Sequence, residues 1–434
     1  MKIYVFTLLL LFFGCHTALF AQGFSFESML PINEIIPVEG KGFLLSSSPL
    51  SNSDSLVLVY FNQAAKPQSS VTIPLKRKIG ALILEDIFVW NNKVVVLKSL
   101  FYAGRQTNHL LLYEYRLPDL QLINSEQLTT AHHPFDLRLP FYYNLSPDSS
   151  KLLVTIWSFF ASDSLAQMEL KIFDQDWQEL ETRQAKLPYR NEKISIYGCR
   201  IDDDANCYII GDVYTGNNLS YANPKQITEF VIASFQNSKS LKSYQIKDEK
   251  INIQSWCFDL DHQQNLVLFA LYSEGMKVVL EGSTFYKIDK STKTIRQFTQ
   301  TVDKESFIAA FEKSNLGFKT PRNRFVSYTL KEVVLKKDAY YLIAENLNLT
   351  TDEMRDILVM SIDLDGQLQW MRRLPKAQQF DFGANTFASF AIVEQEENLL
   401  FFYNGNAKNF EADHDDRVKS TTPKMPHSRS LSST

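Results

Sequence analysis

Glycine is scarce in this chain, at 15 residues in 434, and cysteine scarcer still, at four. Sparse glycine leaves no Gly-rich loop to cradle a phosphate. A Gly-x-Ser-x-Gly elbow is missing, as are a His-Glu-x-x-His helix and a paired Cys-x-x-Cys metal site. Without them the motif-borne serine hydrolases and zinc enzymes have no foothold, and no cofactor or metal is expected. Charge of one sign is lacking too: 45 Lys and Arg face 49 Asp and Glu, a formal net charge of −4. Nucleic-acid binding relies on a basic face, so no nucleic-acid partner is expected.

Long apolar runs are absent apart from one near the start, residues 3–13. That run is too short for a bilayer span, which takes about 20 apolar residues. Met1-Lys2 precedes it and Ala18-Leu19-Phe20-Ala21-Gln22 follows, so residues 1–21 read as a secretory leader cleaved after Ala21. The mature chain, without Lys2, then carries −5 and no transmembrane segment, and its place is periplasmic or extracellular. A competing start is a lipid anchor at Cys15, within Leu11-Phe12-Phe13-Gly14-Cys15. Three cysteines remain, Cys199, Cys207 and Cys257, which allow one disulfide at most. They are expected to act as small buried hydrophobes.

What the chain does have is a repeat. An apolar strand, a short polar turn and a second, more apolar strand recur with second strands starting at Phe43, Val94, Leu152, Cys207, Leu266, Tyr340 and Leu399. The steps are 51, 58, 55, 59, 74 and 59 residues. Between successive copies lies another hairpin, whose first strands are 56–60, 110–115, 168–173, 230–235, 284–288 and 357–362. Its turns are polar, as in Asp363-Leu364-Asp365-Gly366, and its last strands more polar. Two hairpins make a four-stranded antiparallel sheet, and recurrence at roughly 55 residues marks a propeller blade. Such blades bury their faces only against one another.

The segment Leu145-Ser146-Pro147-Asp148-Ser149-Ser150-Lys151-Leu152-Leu153-Val154 resembles the Ser-Pro-Asp hairpin turn of TolB-like and WD40-like exported propellers. The resemblance implies an all-β β-propeller and nothing about activity. Residues 22–405 are expected to be the propeller and 406–434 a polar, disordered or truncated tail. Seven hairpins of the first kind against six of the second point to seven blades, the last incomplete. Closure of that blade by residues 24–31, or a six-bladed ring with a spare hairpin, are the alternatives.

The remaining candidates for chemistry have plainer accounts. Asp202-Asp203-Asp204-Ala205-Asn206 and Asp363–Gly366 lack the distal Glu of a calcium loop, and Asp, Asn and Gly are what tight turns prefer. Asp413-His414-Asp415-Asp416 reads as a solvated cluster, and His132-His133-Pro134 as a loop. The pointer that survives is the placement of long connections. Residues 301–327 join one blade to the next, with Asp303 capping a short helix that carries Phe307, Ile308 and Phe311. Residues 158–167, 212–228 and 345–355 join the two hairpins of a blade. Both kinds of connection fall on one face, where Tyr214, Asn217, Tyr221, Arg322 and Arg324 are the binding candidates. The expected function is a noncatalytic exported propeller that binds a protein, peptide or glycan there. The alternatives are a channel-mouth lyase or hydrolase and a structural part of an envelope assembly.

Overall fold

The structure, a computed structural model, describes residues 2–9, 20–27, 32–38, 40–47, 54–64, 66–75, 81–132, 140–158, 164–215, 226–236, 240–246, 251–274, 282–292, 294–301, 328–348, 353–379, 390–395 and 398–404. Its first strands are β1 (Lys2–Leu9) and β2 (Phe20–Glu27). The next four, β3 (Ile32–Val38), β4 (Gly42–Ser47), β5 (Ser55–Asn62) and β6 (Pro67–Pro74), form one antiparallel sheet in that order. A second contains β7 (Ala81–Trp90), β8 (Lys93–Tyr102), β9 (Thr107–Arg116) and β10 (Leu122–His132). Then come β11 (Phe141–Leu145), β12 (Lys151–Ser158), β13 (Leu165–Asp174) and β14 (Glu179–Arg190). They are followed by β15 (Ile194–Ile201), β16 (Cys207–Thr215), β17 (Gln226–Gln236) and β18 (Ser240–Ile246). The next sheet has β19 (Ile251–Leu260), β20 (Leu266–Glu274), β21 (Gly282–Ile288) and β22 (Ile295–Thr301). After it stand β23 (Tyr328–Leu335), β24 (Ala339–Asn348), β25 (Glu353–Asp363) and β26 (Leu368–Gln379). Finally β27 (Phe390–Gln395) and β28 (Asn398–Asn404) take up the N-terminal strands in the order β2–β1–β28–β27.

This is an all-β propeller of four-stranded antiparallel blades, as the repeat implies. The hairpin boundaries follow local chemistry. Asn91 and Asn92, at φ 50° and 59°, make the two-residue turn between β7 and β8. Asp202 closes the β15–β16 turn by accepting the backbone N–H of Asp204 (3.0 Å) and Asn206 (2.8 Å), with Ala205 at φ 62°. Asp261 and Asp363 repeat that pattern, with Gln264 and Gly366 in the left-handed place. The acidic runs are thus turn-formers: Asp202, Asp261 and Asp363 bond their own turn backbone, while Asp203 accepts from Asp148 N and Asp204 pairs with Lys290.

The apolar cores lie between sheets. Leu153, Met168 and Leu170 meet Ile196, Cys199 and Ile209 across one junction. Phe269 and Phe285 meet Tyr340, Leu342 and Leu358 across another. Val94–Leu97 in β8 are all fully buried, because a second strand has a neighbouring sheet on both faces. Each such side chain contributes about 1.5–3 kcal/mol by leaving water. Cys199 and Cys207 are buried in this packing, Cys257 is half-buried, and none is in a disulfide. Burial pushes the Cys199 thiol up to about 11 and Cys207 to about 12.

One expectation is corrected. The blade begun by β27 and β28 is not incomplete, because β1 pairs antiparallel with β28 and β2 with β1. The physical reason is that the apolar start has the make-up of a strand as well as of a leader. The tail 406–434, the helix expected around Asp303, Cys15, and the Asp413–Asp416 cluster lie outside the described residues.

Candidate functional site on the channel wall

The first strand of each sheet is its innermost. Contacts between sheets run through them: β3 packs on β7, β11 on β15, β19 on β23, and β27 on β3. The other junctions are tied by side chains. Tyr143 Oη donates to Glu85 O (2.6 Å), Arg200 pairs with Asp259 (2.9 Å), and Lys336 pairs with Glu394 (2.7 Å). β3, β7, β11, β15, β19, β23 and β27 thus lie along the inner side of their sheets.

Five of these strands carry a register shift against their second strand, between Ile32 and Glu34, Leu84 and Asp86, Ile196 and Gly198, Ile253 and Ser255, and Leu330 and Glu332. A bulge frees one residue from the ladder and re-aims its side chain. At three of these shifts a backbone group finds a partner from a neighbouring sheet. Adjacent residues of a strand face opposite ways, and β11 uses this. Tyr143 donates to Glu85 O on one side, and Tyr142 donates to Ile196 O (2.9 Å) on the other. At the β23 bulge, Leu330 N donates to Ser255 Oγ (2.9 Å).

The wall is aromatic and charged. Tyr197, the residue at the β15 bulge, is 48% exposed despite its place on an innermost strand. Its ring meets Trp256 edge-on at 4.9 Å, and Trp256 leans on Phe258 at 5.6 Å. Its hydroxyl donates to the fully buried Asp212. The Arg200 guanidinium covers the Phe258 ring at 4.6 Å while bonding Asp259. Glu332 follows on β23, and Asp259 and Glu394 act on it from the strands to either side. Its side chain meets solvent, yet the walls enclose it. That desolvation, with repulsion from Glu394 and Asp259, pushes its carboxyl up to about 7. On β7, enclosure raises the Asp86 carboxyl to about 6, Glu85 adding to the effect and the Ile87 N–H opposing it. Carboxyls poised there can exchange protons near neutrality or meet a cation.

Of the residues singled out in the sequence, Tyr214 lies in β16, its backbone in register with Ile227. Asn217, Tyr221, Arg322 and Arg324 lie outside the described residues. Tyr197, Trp256, Phe258, Arg200, Asp259 and Glu332 were not among the candidates. Their signal was faint: polar or aromatic residues interrupting strands otherwise read as core. Among the described residues no group of three His, Cys, Asp or Glu is placed to hold a metal, and no helix is long and apolar enough to cross a membrane.

No family model matches the chain, and no curated protein matches it. Solved structures do resemble it. The polysaccharide lyase Uly1 shares 9% identity over 93% of this chain and 99% of its own, with a TM-score of 0.46. The β-propeller domain of the trilobed protease from Pyrococcus furiosus shares 11% over 84% of this chain and 99% of its own, at 0.38. An acylaminoacyl peptidase shares 9% over 84% of this chain, at 0.39; the chain spans 55% of that protein's length.

Proposed function

We propose that this chain is an exported, noncatalytic propeller of seven blades that binds a protein, peptide or glycan partner where its channel opens on the loop-bearing face. The blade count is supported by the run of ties from each innermost strand to the next, closing from β27 to β3. The observation that carries the binding role is Tyr197, a half-exposed aromatic braced by Trp256 and Asp212 on the innermost wall. Aromatic and guanidinium groups held this way favour contact with a partner. In antiparallel blades the first-to-second and third-to-fourth turns share one face. The second-to-third connections and those between blades share the other, which carries Tyr214, Asn217, Tyr221, Arg322 and Arg324 as further contacts. The chain is placed in the periplasm or outside the cell, and residues 1–21 act as its leader.

The test is affinity capture from the native envelope fraction, alongside a glycan array, with the parent chain and with Tyr197→Ala. Capture by the parent and its loss in the variant support the proposal. Equal capture by both removes Tyr197 from the site, and no capture by either defeats the binding role. Glu332 and Asp86 favour a second reading, a channel enzyme using an enclosed carboxyl as acid or base. A turnover of oligosaccharide or peptide abolished by Glu332→Gln would replace the first reading with this one.

A further inference from the structure

In the chain as it stands, the sheet of β27 and β28 owes its third strand to the stretch that reads as a leader. The β1 register is unbroken on both sides, from Lys2 opposite Glu27 to Leu9 opposite Phe20, and from Ile3 opposite Asn404 to Leu8 opposite Leu399. Leader removal is hydrolysis of the Ala21–Gln22 peptide bond by a membrane-bound peptidase, water leaving a carboxylate on Ala21 and an amine on Gln22. It takes away all of β1 and only the first two residues of β2, Phe20 and Ala21.

The remainder of β2 is held in the outermost place by its direction. Four residues, 28–31, link it to β3. Four residues, 247–250, likewise link the outermost β18 to β19, and three link β14 to β15. β2 is antiparallel to β1 and β1 antiparallel to β28, so β2 runs parallel to β28, and moved inward it could not continue the antiparallel ladder that joins the other neighbouring strands. Leader removal therefore opens a gap one strand wide, with the unpaired edge of β28 on one side and that of β2 on the other.

Resting on the leader reading above, the geometry points to a strand-acceptor site between β28 and β2, filled in the mature protein by an extended segment of another protein. The occupant's chemistry is set by what flanks it. Leu399 and Phe401 of β28 are buried against the β23–β26 sheet, and the register places Leu8 and Phe6 opposite them. Third strands such as β5, with Leu56, Leu58 and Tyr60, and β13, with Met168, Leu170 and Ile172, offer buried apolar residues at alternate positions. The segment must run antiparallel to β28, carry large apolar side chains two residues apart, and lack proline across about six residues. Main-chain bonds on two edges supply affinity, and the alternate side chains supply choice.

The probe is a peptide of residues 2–9, Lys-Ile-Tyr-Val-Phe-Thr-Leu-Leu. Its control carries Asp at the positions of Phe6 and Leu8. The full chain, its gap filled by β1, should bind neither. The full chain with Val5→Pro and Phe6→Pro, whose β1 loses two adjacent backbone donors at the centre of its ladders, should melt earlier. It should bind one equivalent of the probe, recover most of the lost midpoint and ignore the control. A second version keeps every strand: a protease site set between residues 10 and 19 is cut after folding, and labelled probe is exchanged for β1. Exchange at one site per chain supports the proposal, and no exchange overturns it. An unshifted midpoint in the proline variant, or recovery with the control peptide, overturns it equally. N-terminal sequencing of the chain recovered from the envelope separates the two ideas. A start at Met1 defeats the leader reading, whereas probe failure defeats the acceptor site whatever the start.

Discussion

Lys376 and Glu345 form a direct ion pair inside the β23–β26 sheet, at 0% and 1% side-chain exposure. Burial pushes the Lys376 ammonium below its ordinary range, although Glu345 and Asp356 pull the other way. Replacing Lys376 by Met keeps the aliphatic stem and leaves the Glu345 carboxylate without its nearest cation. Removing one partner of a buried pair costs about 3–5 kcal/mol, because the survivor stays desolvated. Lys331 Nζ lies 3.8 Å from Glu345 Oε2 and reaches it from a more exposed position, which places the loss near the lower end, at about 3 kcal/mol. Replacing both, Lys376→Met with Glu345→Leu, removes the stranded charge and should return stability to within about 1 kcal/mol of the parent. Guanidinium unfolding followed by tryptophan fluorescence gives the four corners of the double-mutant cycle. If Lys376→Met unfolds within 1 kcal/mol of the parent, or if the double variant is as unstable as the single one, the pair is not the desolvated couple described above.

Other outcomes are as specific. Glu332 has a folded-state pKa raised to about 7 from an ordinary 4.5, so the folded chain binds the extra proton between those values and loses stability as pH rises through them. Glu332→Gln should flatten that slope and gain about 1 kcal/mol at pH 8 relative to pH 5, a figure reduced for the solvent its side chain meets. Unfolding midpoints at the two pH values check this. Gly366 sits at φ 86°, and an added Cβ would lie 2.6 Å from Phe285 Cδ1 and 3.1 Å from Phe298 Cβ. Gly366→Ala should therefore cost about 1–3 kcal/mol and lower the melting temperature. Tyr142→Phe and Tyr143→Phe each remove a hydrogen bond to a carbonyl at a bulge, costing about 1 kcal/mol apiece. Since they serve different strands, the two losses should add; a double variant no worse than either single one would deny that they act separately.

Most of the architecture was legible because a blade writes itself as hydrophobic period. The second strands expected from Val94, Leu152 and Leu266 are β8, β12 and β20, and the hairpin at Asp363–Gly366 lies where its residues imply. Completion of the last sheet was legible only in part: closure by residues 24–31 stood among the alternatives, whereas the strands that close it are 2–9 and 20–27. Pairing between β1 and β28 joins the two ends of the chain, and no local pattern carries that information. The wall residues were hidden for a different reason. Whether Tyr197 points into a core or along a channel depends on one extra residue in a strand, and Ile196-Tyr197-Gly198 read linearly is an ordinary β run. Asp212 looked like the start of a loop, whereas it is a fully buried strand residue holding the Tyr197 hydroxyl.

The bulges also explain how this wall carries polar and charged groups while the cores between sheets stay apolar. Stability resides between sheets, where second strands such as Leu266–Leu271 are buried on both faces. First strands contribute less to that packing: in β19 Leu260 and Ser255 are buried, while Asp259 and Trp256 stay part-exposed. A bulge shifts the alternation by one, so a side chain due to face a neighbouring sheet is turned out of it. Tyr197, Lys331 and Glu85 stand at such positions; Tyr142 and Tyr143 bond the carbonyls of Ile196 and Glu85, and Ser255 accepts from Leu330 N beside Lys331. Side-chain identity at the bulges is thereby uncoupled from core packing. Aromatic, acidic and basic groups can occupy the wall of one propeller and not another while the between-sheet cores stay apolar.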